Sequence, residues 1–370
     1  MADAADVVVV GGGLAGAAAA LRLAREGASV TLFERESCAR TKVCGEFLSG
    51  VALAELAALG VPAASLGAVP LSRTRFSARR RTAESSLSFP AASLTRERLD
   101  EALLIAAAEA GADVRRGVTV RALTPGGGGW RALHAGGEAR GGRIVVASGK
   151  ADVAGRRRAA GIHPGLVGLK RLAVLSPAAM AAMGDAVEVA LFPGGYCGIQ
   201  PVEGGRVNVC LVVEQAFLKA HRGNADAAFE AVRRGAERAG DLLSGARFLG
   251  DRPAAVGRVP YGFVRARSDG PYHLGDQAAV IPSFCGEGMA IALASARLAS
   301  GAILAGEDAT GFQRRLARLV AARVRLAALL SRGLCHGPLQ PFLAAIAPVA
   351  PPLLDRIATL TRIPASPGAA

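Results

Sequence analysis

Val7-Val8-Val9-Val10-Gly11-Gly12-Gly13-Leu14-Ala15-Gly16 is a β-branched run that ends in glycines and passes directly into apolar and small residues at helical spacing as far as Leu23. Ser29 to Phe33 is strand-like again, so the opening of the chain reads as strand, helix, strand. Gly11, Gly13 and Gly16 occupy the fixed places of G-x-G-x-x-G. Gly11 permits the tight turn, Gly13 lets the backbone approach a pyrophosphate, and Gly16 lets the helix pack close to the strand. Leu14 and Ala15 belong to the same turn, where the partly positive helix N-terminus faces phosphate oxygens. Glu34 closes the second strand at about the 20-residue distance where an acid accepts adenosine ribose hydroxyls, and Arg35 follows it.

A second half-site lies far along the chain, at Gly275-Asp276-Gln277-Ala278-Ala279-Val280-Ile281-Pro282 and Gly286-Glu287-Gly288-Met289. A strand delivers an acid and a glycine turn opens a helix. Asp276 is placed to accept from ribityl or pyrophosphate-side hydroxyls. Backbone N–H groups from Gly286 to Met289 can face the pyrimidine edge of a flavin, where a helix N-terminus favours the negative charge of the reduced ring. This second motif selects FAD, held non-covalently, over NAD.

These motifs resemble the flavoprotein superfamily that contains geranylgeranyl reductases, p-hydroxybenzoate-hydroxylase-like monooxygenases and flavin-dependent halogenases. The resemblance covers most of the chain to about residue 310. It implies an α/β fold in which a Rossmann-type (GR2-like) FAD-binding domain is interleaved with an antiparallel β-sheet substrate domain, with C-terminal helices added. The expected division is 1–70, 94–165 and 260–310 for the FAD-binding domain, 71–93 and 166–259 for the substrate domain, and 311–370 for the C-terminal segment. Arg96, in Thr95-Arg96-Glu97-Arg98-Leu99-Asp100, matches the family's R-x-x-[FL]-D and implies contact with FAD. Lys42-Val43-Cys44-Gly45-Glu46 looks like the K-x-C-G stretch that runs beside the isoalloxazine in geranylgeranyl reductases. Pro193-Gly194-Gly195-Tyr196-Cys197-Gly198-Ile199-Gln200-Pro201 resembles their P-x-x-Y-x-W-x-F-P motif, with Gly198 and Gln200 in place of Trp and Phe. Where hydroxylases carry Asp-Gly, this chain has Ser148-Gly149, and the tryptophans of the halogenase W-x-W-x-I-P motif are absent. Lys42, Cys44, Gly45, Val120, Ser148, Gly149 and Pro282 complete the expected cofactor-binding set.

Elsewhere, Glu46 to Leu59 reads as a helix, and Thr74 to Ser77 with Ser85 to Phe89 reads as a hairpin around Arg79-Arg80-Arg81. Val187 to Phe192, Tyr196 to Val202 and Val207 to Val213 read as a meander turned by Gly-rich links. Val187, Val189, Leu191, Ile199, Val209 and Leu211 are expected to divide between a pocket wall and a core. Gly288 to Leu304 and Phe312 to Leu330 are helical, the second basic, and the proline-broken run from Leu339 to Leu360 is expected to cover an apolar pocket.

The chain has 370 residues, 51% hydrophobic and 20% charged, which fits a folded protein of about two domains. The charge of +14 is scattered, mostly as Arg, and reads as a solvated basic surface, so no nucleic-acid partner is expected. Membrane contact through the basic helix is the less favoured reading of that segment. The six cysteines form no C-x-x-C pair and no His stands at zinc-ligand spacing, so no metal site or disulfide framework is expected. The first apolar run is too short for a signal sequence, and a cytoplasmic location is expected.

The function expected is that of an FAD-dependent oxidoreductase that passes a hydride from flavin N5 to a small apolar or aromatic molecule. Alternatives are monooxygenation through a C4a-hydroperoxide, and electron relay with no organic substrate. Tyr196 and Glu287 are the candidate proton donors and Cys44 a third candidate beside the ring; the reductant is left open between NAD(P)H and a partner reductase.

Overall fold

The computed structural model describes residues 4–335, 340, 356 and 358–364. The first part of the chain forms β1 (Ala5–Val10), α1 (Leu14–Arg25), β2 (Val30–Glu34), β3 (Phe47–Ser49), α2 (Gly50–Ala58), β4 (Val69–Ala78), β5 (Arg81–Ser93), α3 (Arg96–Glu109), β6 (Asp113–Arg116), β7 (Val120–Gly126), β8 (Gly129–His134) and β9 (Gly137–Val146). Next come β10 (His163–Val174), α4 (Pro177–Met183), β11 (Ala186–Phe192), β12 (Gly195–Val202), β13 (Arg206–Glu214), α5 (Gln215–Ala220), α6 (Ala225–Gly235), α7 (Glu237–Leu243), β14 (Arg247–Phe248) and β15 (Ala254–Tyr261). The chain then returns through β16 (Tyr272–His273), α8 (Gly288–Leu304) and α9 (Ala309–Cys335).

The first sheet has the order β6-β2-β1-β9-β8-β7, with β16 beside β9. Its centre is parallel, β1 lying between β2 and β9. Because successive side chains on a strand face opposite ways, Val7 and Val9 join the core under α1, α2, α3, α8 and α9. Val8 and Val10 join Phe33, Ile144 and Val146 on the other face. Burial on both sides accounts for the unbroken apolar run of β1.

The second sheet has the order β14-β10-β13-β12-β11-β4-β5-β3, with β15 on β10. Its pairings are antiparallel except β4 with β11, which run parallel. One face packs on α4, α6 and α7 through residues such as Met183, Phe229, Val232 and Leu242. The other face looks toward the first sheet.

Glu46 to Leu59 is not one helix. Phe47, Leu48 and Ser49 pair with Ser93, Ala92 and Ala91 of β5, and helix begins only at Gly50. Tertiary pairing overrides the helical periodicity of a segment this short. The hairpin around Arg79 and Arg80, the three meander strands and α8 form where their sequence patterns put them. Most of the proline-broken run from Leu339 to Leu360, and the tail from Ala365, lie outside the described residues.

The tightest approach in the first sheet is between α1 and the turn that precedes it. A Cβ on Gly16 would stand 1.8 Å from the Gly11 carbonyl oxygen. Gly16→Ala should therefore destabilise the protein by about 3 kcal/mol, because a packed backbone has no room to relax. Thermal unfolding followed by circular dichroism checks this, and an unchanged transition would contradict the packing.

Candidate functional site

A cavity of about 870 Å³ lies between the two sheets, within the range of small-molecule and cofactor sites. Gly11, Gly13, Leu14, Ala15, Glu34 and Arg35 line it from β1, α1 and β2, and Lys42, Cys44 and Gly45 from the loop after β2. Arg96, Val120, Ser148, Gly149, Gly275, Asp276, Gly286, Gly288 and Met289 line it as well. Residues distant in the sequence thus meet at one surface. Gly16, Pro282, Tyr196 and Glu287 are not among the lining residues.

The phosphate end is built by the Gly11–Gly13 turn. Gly11 has φ +105°, and a Cβ there would stand 2.5 Å from the Ala147 carbonyl oxygen. Glu34 accepts the Gly12 N–H at 2.7 Å and the Glu36 N–H at 3.0 Å, tying the turn to the end of β2. A Cβ on Gly13 would stand 3.3 Å from Arg96 Nη2 and 3.7 Å from Lys42 Nζ. A cradle is left open between two cations and the N-terminus of α1, as a diphosphate requires. Both cations are anchored by Asp100, Lys42 at 2.8 Å and Arg96 through a fork at 2.8 and 3.0 Å. Burial works against charge on Arg96, but Asp100 and Cys44 outweigh it and raise its pKa, so the cation is permanent.

At the other end, Asp276 lies 3.2 Å from Lys150. Burial works against the Asp276 carboxylate, yet Lys150 and Arg158 outweigh it and hold its pKa below the usual range. The loop carrying Ser148 and Gly149 is laced to this strand end. Arg158 donates to the Asp276 and Lys150 carbonyls, and Gln277 Nε2 to those of Gly149 and Ala151. Gly286, at φ +70°, turns the chain into α8, and a Cβ there would stand 2.5 Å from the Phe47 ring.

Behind the Cys44–Glu46 stretch lies a polar network with no cue in any local motif. Glu46, in the left-handed region at φ 60°, accepts the Arg96 N–H at 3.0 Å and pairs with Lys170 of β10, both side chains being fully buried. Burial raises the Glu46 pKa against the pull of Lys170. Asn208 Nδ2 donates to the Cys44 and Gly45 carbonyls at 3.1 and 3.0 Å. Glu46 Oε2 has no partner among the described residues.

The remaining wall is apolar, formed by Val43, Val212, Ala254, Ala255, Val256 and Val259 with Cys210 and Gly168. The meander presents its other register to the cavity than Ile199, Val209 and Leu211, which face the core under α6 and α7. The period of two puts Cys210 and Val212 on the cavity side. β15, which carries much of the wall, drew no reading from the sequence. Two hydroxyls interrupt the apolar surface, Tyr261 and Ser283.

Tyr196 sits one residue behind that wall, its hydroxyl 2.8 Å from Ser283 Oγ, while Tyr261 donates to the same oxygen at 3.0 Å. Glu287 is turned away from the cavity: Arg362 donates to it at 3.1 Å and the Ile363 N–H at 3.2 Å. Its buried carboxylate is consumed by the C-terminal segment, which corrects the reading of Glu287 as a proton donor at the ring. Tyr261 and Ser283 are the hydroxyls missed by sequence reasoning; their signal was an aromatic ending a strand and a serine inside the Asp276-to-Gly286 motif.

Residues 6–52 match the family model described as FAD dependent oxidoreductase. A menaquinone reductase of Mycobacterium tuberculosis is 49% identical over 59 residues, which are 16% of this chain and 14% of that protein. The match thus spans about one seventh of the relative's length. Among solved structures, a flavin-dependent brominase superposes with a TM-score of 0.78 at 19% identity, over 97% of this chain and 93% of that one. A geranylgeranyl bacteriochlorophyll reductase-like protein from Thermoplasma acidophilum gives 0.71 at 20% identity, over 99% and 94%. A myxobacterial chondrochloren halogenase gives 0.75 at 20%, over 97% and 91%. The fold is the one these solved structures share. The matched N-terminal segment carries the FAD dependent oxidoreductase signature, and FAD is the cofactor for which the diphosphate cradle and the paired half-sites fit.

Gly13→Val would fill the cradle, so the purified variant should be folded yet colourless, with less than about a tenth of wild-type FAD. Flavin absorbance against circular dichroism checks this, and full occupancy would remove the phosphate assignment. Lys170→Met strands the Glu46 carboxylate and should cost about 3–5 kcal/mol, with Glu46→Gln/Lys170→Met restoring much of the loss. Urea unfolding of both variants measures the difference.

Proposed function

We propose that this protein is an FAD-dependent oxidoreductase that reduces an activated double bond in a small apolar molecule. The observation that carries the reading is the pairing of an aliphatic wall, Val43, Val212, Val256 and Val259, with two hydroxyls that share one side of the cavity. An apolar wall selects an apolar substrate through burial of its surface. FAD, when bound, supplies hydride transfer. The chain supplies orientation, exclusion of water and a proton.

Tyr261 is the proton donor in this reading. Burial pushes its phenol up to about 12, so the O–H is intact at neutral pH. Ser283 accepts from Tyr261 and bonds Tyr196, whose pKa burial also raises, so the three linked hydroxyls hold the Tyr261 phenol in place at the wall. Tyr196 thereby acts through Ser283 and does not touch the substrate. Cys44 remains a candidate on the opposite side, where the cavity meets the Lys42–Glu46 stretch.

Tyr261→Phe should lower turnover roughly a hundredfold, in the range of general acid catalysis, while FAD content stays unchanged. Dithionite-reduced enzyme, mixed anaerobically with apolar quinones and enones, reports this as the rate of flavin reoxidation. Incorporation of labelled oxygen from O₂ into a product under aerobic conditions would replace the reductase reading with a monooxygenase.

A further inference from the structure

α9 carries no Asp or Glu along its 27 residues. One face is consumed by the fold, where Phe312, Leu316, Val320, Val324 and Leu334 are buried. The opposite face carries Arg314, Arg318, Arg325 and Arg332, all exposed. At 3.6 residues per turn these four fall within about 40° of one another, along a line about 27 Å long. None of the four has a carboxylate partner among the described residues, whereas neighbouring Arg315 pairs with Glu307, and Arg323 bonds the carbonyls of Leu319 and Arg362. Leu329 projects between Arg325 and Arg332 with 59% of its surface exposed.

We infer that this face docks on an anionic lipid bilayer. A straight row of free guanidinium groups matches a flat sheet of phosphates, each able to take a forked pair of hydrogen bonds. An exposed leucine within the row suits a surface whose interior is apolar, and exposed apolar groups beside arginines are the composition of in-plane membrane contacts. Attachment is peripheral, because no helix among the described residues is long and apolar enough to cross a membrane. The same helix forms the back of the cavity wall, since Leu334 and Cys335 pack with Tyr196, Val212 and Tyr261. Docking would thus hold the apolar pocket one helix away from the lipid. The inference rests on α9 and not on the reaction proposed above.

The test is cosedimentation of the full chain with vesicles of phosphatidylcholine alone and of phosphatidylcholine mixed with phosphatidylglycerol. Binding is expected to the mixed vesicles only, and to vanish in 1 M salt, where screening shrinks to about 3 Å. Arg318→Glu/Arg325→Glu should weaken binding roughly thirtyfold or more, and Arg81→Glu/Arg252→Glu, an equal charge change off the row, by less than about threefold. Failure of the wild type to bind mixed vesicles overturns the inference, as does an equal loss in both variants. If the wild type ignores both vesicles but binds polyglutamate through Arg318 and Arg325, the row belongs to an acidic protein and the bilayer assignment falls.

Discussion

The contact between the Gly16 position of α1 and the Gly11 carbonyl governs the first sheet and everything mounted on it. No side chain fits there, since even a methyl group would meet oxygen at 1.8 Å. With α1 pressed so close, its N-terminus ends directly above the end of β1, and Gly13 remains open beneath Arg96 and Lys42. The helix is buried along its length by alanines, which let α3 and α8 approach it in turn. Small residues therefore set the spacing of a whole layer, and Arg96 and Gly288 take their positions from it.

The two sheets are joined by polar contacts in an otherwise apolar interior. Lys170 on β10 reaches Glu46, Glu46 holds the backbone of α3 at Arg96, and Asn208 on β13 grips the Cys44–Gly45 backbone. Thr95, which caps α3, is held in turn by Glu203 at the end of β12. Aliphatic contacts could tolerate sliding of one sheet over the other. Directional hydrogen bonds to a buried carboxylate do not, and they fix the loop that borders the cavity between the sheets.

The parts of this arrangement that were legible in the sequence are those enforced by local backbone chemistry. Glycines at Gly11, Gly13 and Gly16, the acid at Glu34 and the Asp276 to Met289 motif reflect constraints within a few residues of each other, and they announce the fold. The meander was readable from its alternation, but not which register meets the cavity, since Val209 and Cys210 differ in no local rule and are sorted by what packs on each face. Glu287 illustrates the limit most directly. A carboxylate opening a helix beside the expected ring has an apparent chemical role, and only the return of the chain at Arg362 uncovers its structural employment. Lys170, Asn208 and Tyr261 stood outside every motif, and Ser283 inside one had no cue to its role, because their partners are more than twenty residues away.

The lacing of the Ser148–Asp152 loop to Asp276 by Arg158 and Gln277 also bears on the order in which the molecule is made. The cavity takes lining residues from the first fifty residues, from Arg96, Val120 and Ser148–Gly149, and from the segment Gly275 to Met289, and β16 and α8 complete the layer that α1 begins. During synthesis the early strands leave the ribosome long before the partners that cover them, with β9 unpaired along the edge that β16 will occupy. Closing contacts of such sequence separation is slow, and the open intermediate exposes apolar surface while it waits. A site that needs Gly275 to Met289 is complete only once that segment has been made, so cofactor capture is a late event in biogenesis.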